Sequence, residues 1–399
     1  MIVFMFMIFK ITTLLLLLAT HRENIFGGPT AFGNKILNGD TIGIKNVFSV
    51  TCADVSMLPP VFQKGFVMVY QREVPGSIVL LDVKGNIVWA YESADVGFKV
   101  VRFTKDHNFL CITGTKENES GYGNAILELS LRGDTLLYLK KGQGEFQEMI
   151  HHEIMPNSMN QVVTLCREQR VFNLVSKGGS AKDTVNGDGI LVLDRRGRRI
   201  WKWTVFDALD PLLDDNILKN KKDWMHANSI AFDKDGNYLI SFYNNGQIWK
   251  INATSGDVLW KFGKNGDFEI PANAVFDQAH AVHVTDKGWL MFFDNGAKNR
   301  ISRSLAFTLD KTSKTAQPVI NVRLPPPLYT DRMGSSYLIN DTSLLVCASR
   351  SKTVALSNLN GKFLWLLTTN RITSYRAEFI AGEMLRPYLN NLFNKTTKK

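Results

Sequence analysis

One unit recurs down this chain: an apolar strand ending on a polar residue, a turn closed by glycine, and a second strand ending on tryptophan. It runs from Ile78 through Asp82 and Gly85 to Trp89, and from Leu191 through Asp194 and Gly197 to Trp201. It returns from Ile248 through Asn252 and Gly256 to Trp260, and from Val354 through Asn358 and Gly361 to Trp365. Weaker copies carry Ser130 with Gly133, and Asp310. The turn residues at positions 82, 130, 194, 252, 310 and 358 lie 48, 64, 58, 58 and 48 residues apart. Another strand precedes each unit, such as the runs from Phe66 to Tyr70, Tyr238 to Ser241 and Leu344 to Cys347.

Six repeats of about four short strands, with turn residues throughout and no helical periodicity, predict an all-β fold, a six-bladed β-propeller with a short N-terminal extension. Glycine serves the turn and tryptophan packs between blades. The stretch from Asn46 to Val50 is positioned to complete the last blade and close the ring. The expected layout is a signal peptide or anchor over 1–20, an extension over 21–44, the propeller over 45–380 and a basic tail over 381–399.

The first nineteen residues are almost wholly apolar, with Lys10 the single charge, and polar Thr20 to Asn24 follow. That pattern predicts a secretory signal or an uncleaved anchor, hence a periplasmic or secreted protein whose only membrane contact is through this segment. No later apolar run reaches the roughly 18 residues that a spanning helix needs. Cys52, Cys111, Cys166 and Cys347 are far apart, three of them in apolar strand-like runs, which reads as buried thiols. The formal charge of +10 is partly local, with Lys395, Lys398 and Lys399 at the end. Basic residues elsewhere are scattered with no aromatic-interleaved stripe, which argues against nucleic acid as a partner. A basic exported protein favours small anions instead.

A radially repeated scaffold says nothing about activity, so the histidines carry that question. His21 lies beside the apolar segment and His107 in a polar turn. The others form three clusters: His151 and His152, then His226, then His280 and His283. Each cluster precedes the equivalent turn of consecutive units, which places all three at one end of the propeller axis. Any one of them alone reads equally well as a structural histidine. Three in register point to a site.

The run from Asp223 through Trp224, His226, Asn228 and Ser229 resembles the arylsulfate sulfotransferase family. So do Gln278 with His280, the run Phe293 to Gly296, Ser302 with Arg303, and the upstream His151, His152, Pro156 and Asn157. Met333 to Ser336 and Ser374 to Glu378 are similar to the family's closing elements, and the likeness covers about residues 60 to 380. It implies a six-bladed propeller that moves a sulfuryl group from a phenolic sulfate ester to a phenol through a sulfohistidine, with no nucleotide donor and no other cofactor. Its partners would be a small aryl sulfate and a phenol acceptor. Matching positions imply His280 as nucleophile, with His226 and His152 donating hydrogen bonds to sulfuryl oxygens or exchanging the phenol proton. His283 is the alternative nucleophile, and Asn228 belongs to the substrate-binding motif.

The chain departs from the family where an arginine is expected after the His-x-Asn-Ser motif, because Tyr243 stands there. A charged fork for sulfate oxygens is thereby replaced by one neutral donor. Arg167 or Arg350, each on another blade, is expected to supply the charge. His151 is expected to be an outward or a structural neighbour of His152, since adjacent strand residues alternate. Two further readings remain: a catalytically degenerate propeller that binds anionic or aromatic ligands, and a hydrolase holding a metal through His152, His226 and His280. A quinone-cofactor propeller is a weaker reading of the Gly256 to Trp260 turn.

Overall fold

The computed structural model describes residues 47–396, so the apolar N-terminal segment, its extension and His21 lie outside the described residues. Six antiparallel sheets follow one another along the chain, four of them four-stranded and two five-stranded. All six marker residues sit where the sequence places them, at the turn between the third and fourth strands of a blade counted outward from the axis. Each one closes its turn with its own side chain. Asp82 Oδ1 accepts from the Lys84 and Asn86 amides, Asp194 from Arg196 and Arg198, and Asn358 from Asn360 and Lys362. Ser130, Asn252 and Asp310 do the same.

A short polar side chain that satisfies backbone amides holds a reversal a strand could not make, which is why the period is legible. In five of the turns a glycine then takes a left-handed φ of +79° to +83°, while Lys314 does so at +57° in the sixth.

The tryptophans join neighbouring blades. Trp89 Nε1 donates to Leu131 O at 2.9 Å, from the first blade into the second, and Trp365 Nε1 donates to Val83 O at 2.7 Å, from the last blade into the first. The ring closes twice. Phe48–Cys52 pairs with Phe363–Thr369 as an added outer strand of the last blade. Glu378–Ile380 pairs with Phe66–Gln71 as the inner strand of the first blade, so the first and last strands of the propeller are both paired and few strand edges are left open.

Three cysteines are buried and all four are free thiols. The segment read as a basic tail is helical over Gly382–Thr396, with Leu385 and Leu389 buried one turn apart. Lysines beyond it had hidden that apolar pair. Among the described residues, no helix is long and apolar enough to cross a membrane.

Candidate active site

The inner strands of the third, fourth and fifth blades are Ile150–Pro156, Ala227–Phe232 and Ala279–Val284. Each has a break in register at its start, between His151 and Ile154, between Ala227 and Ser229, and between His280 and His283. At these bulges His152, His226 and Ala281 take left-handed φ values of 57°, 55° and 53°. Such conformations are costly for residues with a side chain and concentrate where function requires them. A bulge re-aims the side chains beside it. Here it turns His152, His226 and His280 into one cavity of 720 Å³ at an end of the axis.

The ring centroids of His152 and His226 are 5.2 Å apart. Tyr243 lies 5.4 Å from the His226 ring and 5.5 Å from that of His280, and Tyr375 lies 5.5 Å from His152 and 6.1 Å from His280. The left-handed residue is the histidine itself in two blades but Ala281 in the third, so His280 is offset by one residue from its counterparts. It nonetheless faces the cavity. His283 does not: its ring packs on Tyr337 at 4.9 Å, its Nδ1 donates to Ala281 O, and it lines a different cavity.

Environment separates the three rings chemically. Burial first, then the neighbouring His151, His226 and Arg72, holds His152 well below the usual histidine range. Burial, His226, Arg376 and Arg72 do the same to His280. His226 goes the other way. Burial works against its charge, but the Asp223 carboxylate 2.6 Å from Nδ1 outweighs it and raises the ring above its ordinary value. Titratable groups pushed apart in one site mark different roles.

Behind His152, the Nδ1 atoms of His151 and His152 are 2.8 Å apart, and His151 Nε2 is 3.4 Å from Asp188 Oδ1. Burial pushes His151 down to about 3 and Asp188 up to about 7, so both are driven toward their uncharged forms between those values. His151 therefore backs His152 from inside the blade, as a structural neighbour and not an outward one.

Asn228 lies behind the cavity. Its Oδ1 accepts from Ser241 Oγ at 2.5 Å, and its carbonyl takes Tyr375 Oη at 2.9 Å and Arg376 Nη2 at 3.1 Å. Ser229 Oγ accepts from the Val282 amide, joining the fourth blade to the bulge of the fifth. The motif therefore holds the site together from behind. Arg376 also pairs with Glu153, which is fully buried and takes Arg102 Nε at 2.8 Å.

Neither arginine singled out in the sequence stands free in the cavity. Arg167 is held by Glu119 at 2.5 Å and lies over the Tyr122 ring, outside the cavity lining. Arg350 reaches the rim, half exposed and 3.1 Å from Asp331. Tyr243 lines the wall with its ring, but its hydroxyl donates to Asp331 O at 2.8 Å. Sequence reasoning missed Arg72, whose side chain enters from the first blade beside Tyr375. Nothing in the repeat marks it, since it follows a strand with no histidine of its own. Among the described residues, no group of three or more histidine, cysteine, aspartate or glutamate side chains is arranged to hold a metal ion.

A family model described as Arylsulfotransferase (ASST) matches residues 53–376. No curated protein matches the chain. Among solved structures, a protein of unknown function from Bacteroides caccae is 12% identical, with 79% of this chain and 98% of that chain covered at a TM-score of 0.50. A putative 6-phosphogluconolactonase from Bacteroides uniformis is 10% identical, covering 80% and 100% at 0.45. Virginiamycin B lyase from Staphylococcus aureus is 12% identical, covering 80% and 99% at 0.39. The likeness to the first of these is one of fold.

Proposed function

The chain belongs to the arylsulfotransferase family, and we propose that it moves a sulfuryl group from an aryl sulfate to a phenol through a covalent adduct on His280. The observation that carries this reading is the convergence of three histidines from consecutive blades on one cavity, two held neutral and one raised. A neutral imidazole is the nucleophilic form, and burial keeps His280 in it.

Asn295 Nδ2 is spent on Thr330 O and Met333 O, while its Oδ1 and His280 Nδ1 are both buried with no other partner. In this reading the Nδ1 proton of His280 is offered to that oxygen, which leaves Nε2 as the attacking atom. The Nε2 lone pair then attacks sulfur, the bond from sulfur to the aryl oxygen breaks, and His226 gives that oxygen its proton. In the second half His226 takes the acceptor's phenolic proton, the phenolate oxygen attacks sulfur, and the bond from sulfur to His280 breaks. His152 faces the same sulfuryl oxygens. Splitting one displacement into two is the general gain of covalent catalysis.

The apolar N-terminus supports a periplasmic or secreted location. One observation favours a binding protein without turnover, namely Tyr243 with its hydroxyl committed to Asp331. The test is phenol release from a chromogenic aryl sulfate with purified protein. Release that needs an added phenol and disappears in His280→Ala supports transfer; release that is absent, or indifferent to His280, overturns it.

A further inference from the structure

We propose that Arg72 is the anion-holding group of this cavity, its guanidinium gripping the oxygens of the incoming sulfate ester in place of the arginine that Tyr243 displaces. The proposal rests on the transfer reading above. Four observations on Arg72 itself point to it.

Arg72 is 9% exposed, and its side chain lines the same cavity as His152 and His280. Among the described residues it makes no ion pair. Its recorded contacts are Nη1 on Met333 Sδ at 2.8 Å and the Tyr375 ring, whose centroid is 5.1 Å from Cζ; its Nε is buried with no partner. Glu73, the next residue, is drawn instead to Lys99 Nζ at 2.9 Å and Ser120 Oγ at 3.1 Å.

A guanidinium taken out of water without a carboxylate is costly, and the cost is relieved when an anion arrives from outside. The other arginines here lack that property. Arg376 is matched by Glu153, Arg350 by Asp331 and Arg167 by Glu119. Arg332 lines the cavity too, but from an exposed position on the rim.

Space has also been kept for the group. Gly121 has φ +90°, and a Cβ there would lie 3.3 Å from Arg72 Nη2 and 3.3 Å from His152 Cε1. Arg72 also contributes to holding both His152 and His280 neutral, as an anion-binding cation beside a nucleophile should. The planar fork matches two sulfuryl oxygens at once, which a lysine ammonium does not. The histidines then approach from the third, fourth and fifth blades, and the guanidinium from the first.

Calorimetric titration with phenyl sulfate, inorganic sulfate and phenol tests this in wild type, Arg72→Met, Arg72→Lys and Arg350→Met, with no acceptor added to the sulfates. Arg72→Met is expected to weaken both sulfates about tenfold or more, the scale of a lost charge-assisted pair, and to leave phenol within about twofold. Arg72→Lys should recover part of the loss, and Arg350→Met should lose less than Arg72→Met. Sulfate affinity unchanged in Arg72→Met, equal loss of phenol, or a larger loss in Arg350→Met overturns the assignment. The two readings fail separately. Arg72-dependent sulfate binding without turnover removes the transfer reading alone, and turnover that ignores Arg72 removes this one alone. Wild type that binds no sulfate removes both.

Discussion

Glu153 is where the architecture and the site meet, and replacing it with glutamine puts a number on that junction. The carboxylate is fully buried at the inner strand of the third blade, between Arg102 and Arg376. Burial alone would raise its pKa, yet the two arginines outweigh burial and hold it below the ordinary carboxylate range. Removing one partner of a buried pair costs about 3–5 kcal/mol, because the other charge is left uncompensated.

Here the lower end applies. Glutamine keeps the shape and one acceptor oxygen, and Arg102 retains Glu378 and Tyr337 Oη. Arg376, at 1% exposure, bears the loss. The expected cost is about 3 kcal/mol, or roughly 4 °C in melting temperature for a chain this long. Urea unfolding followed by tryptophan fluorescence measures it, in a cycle with Arg376→Met. The double variant should be more stable than Glu153→Gln alone, since it removes the orphaned cation. A single-variant loss below about 1 kcal/mol, or strict additivity in the cycle, refutes the reasoning.

Three further expectations follow. Gly121→Ala should cost about 1 kcal/mol or more from its left-handed φ and should slow transfer by crowding Arg72 and His152, read as a lower melting temperature together with a change in kcat/KM. Tyr243→Phe removes a hydrogen bond to a carbonyl, not a group aimed at substrate, so denaturant titration should show about 1 kcal/mol lost while transfer stays near wild type. Stability should fall as pH drops below about 6.5, because His151, His152, His280 and His283 are held neutral in the fold and take up protons on unfolding. Three groups oppose that trend. His226 is raised, so its contribution is full below the unfolded value and lost as pH rises through the folded one; Asp188, pushed up to about 7, and Asp294, raised by burial, destabilise the fold as pH climbs above the ordinary carboxylate range. The four histidines outnumber the three, and urea midpoints between pH 4 and 8 give the sign.

The propeller was legible because its turns announce themselves. Asp82, Ser130, Asp194, Asn252, Asp310 and Asn358 each satisfy backbone amides with their own side chains, a local rule that needs no tertiary context. The convergence of His152, His226 and His280 followed from that register. What stayed hidden depends on contacts distant in sequence. The bulges that rotate His151 behind His152 violate simple strand alternation, and only the fold shows them. Asn228 reads as a site residue because it sits in a motif, yet its carbonyl holds Tyr375, 147 residues away. Arg72 carries no local signal, and its significance lies in its making no ion pair among the described residues while Glu73 is drawn to Lys99. The C-terminal helix was masked by the polar, lysine-bearing end of the segment, Lys395, Lys398 and Lys399, which drew attention from Leu385 and Leu389.

The central claim is that His280 carries the sulfuryl group between donor and acceptor. Wild-type protein mixed with 4-nitrophenyl sulfate in the absence of acceptor, quenched in alkali and analysed by intact and peptide mass, tests it most directly. The account predicts one added sulfuryl group on the peptide that contains His280, gone after phenol is supplied and never formed in His280→Ala. An adduct on another residue, or nitrophenol released with no adduct at any time, contradicts it.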